Sequence, residues 1–124
     1  MAGELILAIE DDADVRRLLT VLLEDAGYAV ALAGAGDEGL ATVRARRPDC
    51  VLVDIGLPEL TGDLVLEAIK RDPDVAHTPV IVVSAWGEDA VADHSRRLGA
   101  YDVLMKPFSD ETLLGAVRAA LGRG

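Results

Sequence analysis

Acidic, hydroxyl and amine side chains follow short apolar runs at four places in the chain. The set comprises Glu10 and Asp11 after residues 5–9, Asp54 after residues 51–53, Ser84 after residues 80–83, and Lys106 after residues 101–105. If the four runs are neighbouring parallel strands, their carboxyl ends share one edge of a sheet, which is where open α/β sheets bind ligands. We therefore expect this set of residues to form a site.

The residue types in the set suit a hard metal ion and a phosphoryl group. Carboxylates that share a pocket repel one another unless a cation joins them, and donors that are all oxygen atoms favour Mg²⁺ over zinc. The carbonyl group of Gly56, two residues after Asp54, could supply a further metal ligand. Ser84 and Lys106 could hold the oxygens of a phosphoryl group, whose transfer depends mainly on positioning and charge neutralisation. The carboxylate of Asp54 could itself act as the nucleophile.

Each of these residues also has a purely structural interpretation. Asp11 or Asp12 could merely cap the first helix, although we assign the cap to Asp12 or Asp14, and Asp54 could begin a turn. Lys106 could be a solvated strand end, and Ser84 could start a loop. For any one residue the two interpretations are equally good, but five such residues at matching strand ends favour a site.

The composition indicates one soluble domain and excludes several functions. The 124 residues suffice for a single core, so we predict one domain over residues 1–124. No apolar run approaches the roughly 20 residues that span a bilayer, and acidic residues come too early for a signal peptide, so a cytoplasmic location is expected. The formal net charge of −10 argues against direct nucleic-acid binding, which needs a basic surface. Cys50 is the only cysteine, so the chain has no disulfide framework and no cysteine zinc site, and we expect Cys50 to be a small buried hydrophobe.

Two hydrophobic periodicities alternate along the chain and predict five strand–helix units. The five short apolar runs lack polar alternation, as do strands that are buried on both faces of a parallel sheet. These runs are 5–9, 28–33, 50–54, 80–84 and 101–105. Helical patterns cover residues 37–46, 62–71 and 88–98, and a last helix begins at Ser109. The first helix carries an apolar stripe of Val15, Leu18, Leu19, Leu22, Leu23 and Ala26 and stops at Gly27.

Five units of this length favour an open α/β sheet with helices on both faces. A closed barrel of eight units would need about twice the chain.

The segments that carry the candidate site resemble those of receiver domains of bacterial two-component response regulators. Residues 7–12 are similar to the family's acidic pocket, and residues 51–58 with Gly62 are similar to the segment that carries its phospho-accepting aspartate. Residues 80–85 match its hydroxyl-ending strand, and residues 106–108 match its lysine motif. The resemblance covers nearly the whole chain, and these motifs in this order are highly specific.

The resemblance implies a flavodoxin-like fold with strand order 2-1-3-4-5 and a regulatory phosphoacceptor rather than an enzyme. It implies that Asp54 takes a phosphoryl group from a histidine kinase or a histidine phosphotransfer protein. The implied Mg²⁺ ligands are Glu10, Asp11, Asp54 and the Gly56 carbonyl. The residues implied to contact the phosphoryl oxygens are Ser84 and Lys106. The implied output is a changed interaction with a downstream effector protein or domain, and some members of the family form phosphorylation-dependent homodimers.

Two positions depart from the family's pattern. Receivers commonly carry Tyr or Phe three residues before the lysine, where this chain has Val103. In the family this aromatic side chain swings inward as the hydroxyl residue moves toward the phosphoryl group, a movement that Val103 cannot match. Tyr101 lies on the same strand face but nearer the opposite end.

Glu10 replaces the more frequent Asp, which keeps the carboxylate and adds one methylene of reach. The family also usually has a cis peptide before the proline that matches Pro107.

A second motif suggests a different class of protein. Residues 34–39 spell G-x-G-x-x-G between a predicted strand and a predicted helix, and Asp54 follows about twenty residues later, as a dinucleotide-binding fingerprint requires. Asp37 and Glu38 would place negative charge where a pyrophosphate docks, and the chain leaves no room for a substrate domain. We therefore favour a flexible turn with Asp37 near the cap of the next helix.

Two further alternatives stay open. A metal-dependent phosphohydrolase with Asp54 as nucleophile would commonly have a second Asp two residues later, where Gly56 stands. A degenerate receiver would bind partners without phosphorylation; the intact site argues against this alternative, whereas Val103 is compatible with it. A stand-alone receiver and one taken from a longer regulator fit the sequence equally. Trp86, two residues after Ser84, is expected near the pocket.

Overall fold

The computed structural model describes residues 3–85 and 89–122, in which β-strands alternate with α-helices. The strands are β1 (Leu5–Ile9), β2 (Ala29–Ala33), β3 (Cys50–Asp54), β4 (Val80–Ala85) and β5 (Asp102–Lys106). The helices are α1 (Ala13–Asp25), α2 (Gly36–Arg46), α3 (Gly62–Arg71), α4 (Asp89–Arg97) and α5 (Asp110–Ala120). Trp86 and the predicted helix start at residue 88 lie outside the described residues.

The strands form one parallel sheet in the order β2-β1-β3-β4-β5, which confirms the predicted fold class. At the carboxyl edge, Ile9 is level with Val53 of the central strand, and Asp54 is level with Val83. Lys106 at the end of β5 is level with Ala85. The registers therefore bring the ends of β1, β3, β4 and β5 to one edge of the sheet.

Helices cover both faces of the sheet, which explains why the strands lack polar alternation. On one face, alternate strand residues such as Val53 and Val82 pack with Leu66 of α3 and Ala92 of α4. On the other face, residues such as Leu52 pack with α1 and α5. Cys50 is fully buried in this second cluster, as expected, and burial raises the pKa of its thiol to about 12.

The ends of helix α1 follow local signals that the sequence carries. The Asp12 carboxylate accepts hydrogen bonds from the Asp14 and Val15 amides, so Asp12 is the N-cap. Gly27 ends the turn after the helix with a φ of +98°, a conformation that favours glycine. The amide of Tyr28 still bonds to the Leu23 carbonyl, which is why β2 begins one residue later than predicted.

The predicted apolar stripe of α1 is only partly correct. Leu23 is fully buried, but Leu18 is 69% exposed. A stripe at i, i+3, i+4 spacing covers more than the line of contact with the sheet, and Leu18 lies on its flank. The last strand starts one residue later than predicted, at Asp102, and the Tyr101 side chain is exposed. No described helix has both the length and the apolar character needed to cross a membrane.

The glycines of the G-x-G-x-x-G segment meet a packing requirement. A Cβ on Gly36 would lie 2.6 Å from the Leu60 carbonyl oxygen, and one on Gly39 would overlap the Ile9 side chain. One amide of the segment is already occupied, because the Glu38 carboxylate accepts from the Gly34 amide at 2.8 Å. Close packing of α2 therefore explains Gly36 and Gly39 without a bound dinucleotide.

Candidate functional site

One ammonium group joins two of the carboxylates at the carboxyl edge of the sheet. The Lys106 Nζ lies 3.2 Å from Asp54 Oδ2 and 3.4 Å from Glu10 Oε1. The side chains of Asp54 and Glu10 are only 15% and 6% exposed, whereas that of Lys106 is 37% exposed. The strand order explains why these groups meet. Strand β3 lies between β1 and β4, and the Lys106 side chain extends from the end of β5, which lies on the other side of β4.

Backbone amides fix the second oxygen of each carboxylate. The Gly56 amide donates to Asp54 Oδ1 at 2.9 Å, and the Asp12 amide donates to Glu10 Oε2 at 3.1 Å. Each carboxylate is thus held by an amide on one oxygen and by Lys106 on the other. These contacts define the orientation of both groups before any ligand binds.

The electrostatics of the site follow from burial and crowding. Burial, reinforced by the charge of Asp54, holds the pKa of the Glu10 carboxyl above its ordinary value, against the Asp12 amide and Lys106, which lower it. Burial disfavours the charge of Lys106, but Asp54 and Glu10 together outweigh it and raise the pKa of this ammonium. The site therefore holds negative charge that a single lysine does not balance.

The carboxylates fit a magnesium ion. One oxygen from each of Glu10, Asp11 and Asp54 lies within 4.8 Å of the others. Oxygens around an octahedral Mg²⁺ stand about 3 to 4 Å apart, since each lies about 2.1 Å from the ion. Small side-chain adjustments would bring the three groups onto one ion, and Gly56 lies exposed beside them in the loop after β3. The donor set contains only oxygen atoms, which is the chemistry that Mg²⁺ prefers.

Ser84 lies at the same edge but forms no hydrogen bond with these charged groups. It is fully buried near the end of β4, one residue beyond the pair Asp54–Val83. Its Oγ has no hydrogen-bond partner within the described part of the chain. A buried hydroxyl without a partner costs about 1–3 kcal/mol, so this position favours a ligand that would accept from it.

Two contacts at this edge add to what the sequence indicates. The Arg16 Nη1 donates to the Glu10 carbonyl oxygen at 2.7 Å, a bond that the sequence reasoning missed. One feature of the sequence could have pointed to this bond. Arg16 lies near the start of a helix, where the dipole disfavours positive charge, so a cation there needs another partner.

Gly62 allows close packing, because a Cβ there would overlap the Asp54 carbonyl oxygen and lie 2.7 Å from the Ile55 Cα. The Lys106–Pro107 peptide bond is cis, as the resemblance implied.

Comparisons with known proteins agree with this geometry. Residues 6–118 match the response regulator receiver domain family. A probable transcriptional regulator, ycf27, from Guillardia theta is 38% identical over 120 residues, which are 97% of this chain and 46% of that protein. The chain spans about half the length of curated relatives that it matches.

Solved structures share the whole fold. A putative response regulator from Chloroflexus aurantiacus superposes with a TM-score of 0.93 at 29% identity, covering 98% of this chain and 99% of that one. The chemotaxis response regulator CheY4 of Vibrio cholerae gives a TM-score of 0.88 at 30% identity, with the same coverage. Because the family match extends over nearly all of the chain and the acidic pocket suits a phosphoacceptor, the chain belongs to the response regulator receiver domains, the regulatory phosphoacceptors of two-component signalling.

Proposed function

We propose that Asp54 accepts a phosphoryl group from the phosphohistidine of a histidine kinase or a histidine phosphotransfer protein. The observation that carries this proposal is the Asp54 carboxylate, fixed by the Gly56 amide and Lys106 next to two further carboxylates. In the transfer, an Asp54 oxygen forms a bond to phosphorus while the phosphorus–nitrogen bond of the donor breaks. The electron pair of that bond stays on the imidazole nitrogen.

The other residues of the site stabilise the transferred group. Lys106 would pair with a phosphoryl oxygen, and the 3.2 Å distance of its Nζ from the acceptor carboxylate supports this role. The Ser84 hydroxyl would gain the partner that it lacks by donating to another phosphoryl oxygen. Glu10, Asp11, Asp54 and the Gly56 carbonyl would hold Mg²⁺. When bound, this ion neutralises charge on the phosphoryl oxygens.

Phosphorylation then changes the interactions of the domain with an effector. The chain carries a net charge of −10, so the effect passes to a downstream protein or domain rather than to nucleic acid bound by the receiver itself. The relatives that extend beyond the matched region include a probable transcriptional regulator, which makes a transcriptional effector one form of this output. Formation of a homodimer is another, and sedimentation of the phosphorylated chain would detect it.

The experiment that tests the acceptor is intact-mass measurement after incubation with acetyl phosphate and Mg²⁺, and in parallel with a phosphorylated histidine donor. We expect one adduct of about 80 Da on the wild-type chain and none on Asp54→Asn, which keeps the shape of the side chain. Lys106→Met should label more slowly, because it removes the cation beside the acceptor. An adduct on Asp54→Asn equal to that on the wild type, or no adduct with either donor, would refute the proposal. A degenerate receiver would give the second result and still bind its partner.

A further inference from the structure

Arg16 binds the backbone of the residue that supplies the first carboxylate of the site. Its Nη1 donates to the Glu10 carbonyl oxygen at 2.7 Å, a short bond from a charged donor. The amide of Glu10 donates in turn to the Ala33 carbonyl at 2.9 Å. The backbone of Glu10 is therefore held from both sides, by β2 through its amide and by α1 through its carbonyl.

The Arg16 guanidinium is itself held in place. A Cβ on Gly34 would lie only 3.2 Å from the Arg16 Nη1, so the glycine leaves room for the guanidinium against the turn after β2. The Glu38 carboxylate, which accepts from the Gly34 amide, lies 3.9 Å from the same Cβ position. Arg16 is half-buried in this pocket between three segments. Its neighbour Arg17 is largely exposed and pairs only with the exposed carboxylate of Asp14 among the described residues.

A glutamate in the metal site needs more restraint than an aspartate. Its side chain has one more rotatable bond, so more conformational freedom is lost when its carboxylate is fixed on an ion. The Asp12 amide and Lys106 orient the carboxylate of Glu10, but only if the backbone of Glu10 stays where it is. We propose that Arg16 is a positioning residue that fixes the Glu10 backbone and so sets the Mg²⁺ affinity of the site. This inference rests on the proposed Mg²⁺ site.

The sign of the effect separates positioning from simple charge. If Arg16 acted only as a nearby cation, its removal would make the site more negative and tighten Mg²⁺ binding. If Arg16 acts by holding Glu10, its removal weakens binding. Residues that orient a metal ligand typically change metal affinity by 10- to 100-fold when mutated.

The test is calorimetric titration of the chain with Mg²⁺ in the absence of a phosphoryl donor. We expect the Mg²⁺ Kd of Arg16→Met to rise about tenfold. The matched control is Arg17→Met, which removes the same charge one residue away and should stay within about twofold of the wild type. Arg16→Lys keeps the charge and a donor and should recover most of the affinity. Arg16→Gln is a second neutral variant that a half-buried position tolerates, and it should show the same loss as Arg16→Met.

A kinetic readout distinguishes positioning from general damage to the fold. With acetyl phosphate as donor, the Mg²⁺ concentration for half-maximal labelling of Arg16→Met should rise about tenfold, while the rate at saturating Mg²⁺ stays within about twofold of the wild type. Arg16 variants that bind Mg²⁺ as tightly as Arg17→Met, or more tightly, would overturn the inference. A lower saturating rate with unchanged Mg²⁺ dependence would overturn it as well. If the wild-type chain itself binds no Mg²⁺, the proposed metal site fails, which is a different result.

Discussion

Replacing Gly62 by alanine tests whether the close approach of α3 to the end of β3 positions the acceptor. Gly62 is the first residue of α3, and its amide bonds to the Ile55 carbonyl at 3.2 Å. An alanine Cβ at this position would overlap the Asp54 carbonyl oxygen and would lie 2.7 Å from the Ile55 Cα and 2.9 Å from the Asp54 carbonyl carbon. All three neighbours are backbone atoms, which cannot rotate away as a side chain could.

The size of the effect follows from these contacts. Ordinary van der Waals contact begins at 3.4 Å, so the helix and the strand end must separate by about half an ångström or more. Overpacking of this kind costs about 1–3 kcal/mol, and the better helix propensity of alanine returns at most about 1 kcal/mol. We expect a net loss of about 1–2 kcal/mol and a Tm lower by about 4–8 °C. A displacement of about 1 Å can cost 100-fold in rate, so labelling of Asp54 should slow at least about tenfold.

Two control variants separate position from stability. Val80→Ala removes two methyl groups from a fully buried side chain at the opposite end of β4 and should destabilise the fold by about 2 kcal/mol without touching the site. Gly115→Ala adds a methyl group where no atom beyond the adjoining residues and the backbone of its own helix lies within 4 Å, and the helix should gain about 0.5–1 kcal/mol. Urea unfolding and the rate of acetyl phosphate labelling measure the two quantities. Wild-type stability and rate in Gly62→Ala, or a rate loss no larger than that of Val80→Ala, would contradict the reasoning.

Three further predictions concern charge, burial and a loop. In EDTA, the free energy of unfolding of Asp11→Asn, measured with urea, should exceed that of the wild type by about 1 kcal/mol, because one of three crowded carboxylates loses its charge. Mg²⁺ at ten times its Kd should then raise the free energy of unfolding of the wild type by about 1.4 kcal/mol, and that of the variant by less. Cys50, whose thiol pKa burial raises to about 12, should stay unreactive toward a thiol reagent at pH 8 until urea unfolds the chain; full labelling of the native protein would contradict this. Lys70→Met should lower the unfolding free energy by about 1–3 kcal/mol, because the Lys70 Nζ donates to the Ala76 and Thr78 carbonyls; an unchanged urea midpoint would show that water replaces it.

The sheet and most of the site could be predicted because both depend on strand ends. Parallel strands that are buried on both faces show as uninterrupted apolar runs, and the residue that ends each run must lie at one edge. Glu10, Asp54 and Lys106 therefore meet in the structure although 96 residues separate the first from the last. No detail of side-chain packing was needed for this part of the prediction.

Contacts that depend on three-dimensional packing could not be predicted. The bond from Arg16 to the Glu10 carbonyl requires the angle at which α1 leaves the sheet, and no local pattern encodes that angle. The need for Gly39 arises because α2 packs onto the Ile9 side chain, thirty residues away in the chain. The exposure of Leu18 has the same origin. The sequence shows which residues of a helix form an apolar stripe, but not which of them contact the sheet.

The position of Val103 separates acceptance of a phosphoryl group from its consequences. Val103 is level with Val82 of β4 and is buried in the cluster that also contains Ala92 of α4. A side chain of this size that is already buried has no outward position from which to move inward, so the aromatic movement of other receivers has no counterpart here. On the same side of the sheet, two hydroxyls are fully buried without partners within the described residues, Ser84 on β4 and Ser95 on α4. In the proposed function, a phosphoryl group on Asp54 would give Ser84 the partner that it lacks, and the side chain at position 103 would not contribute the aromatic movement of other receivers.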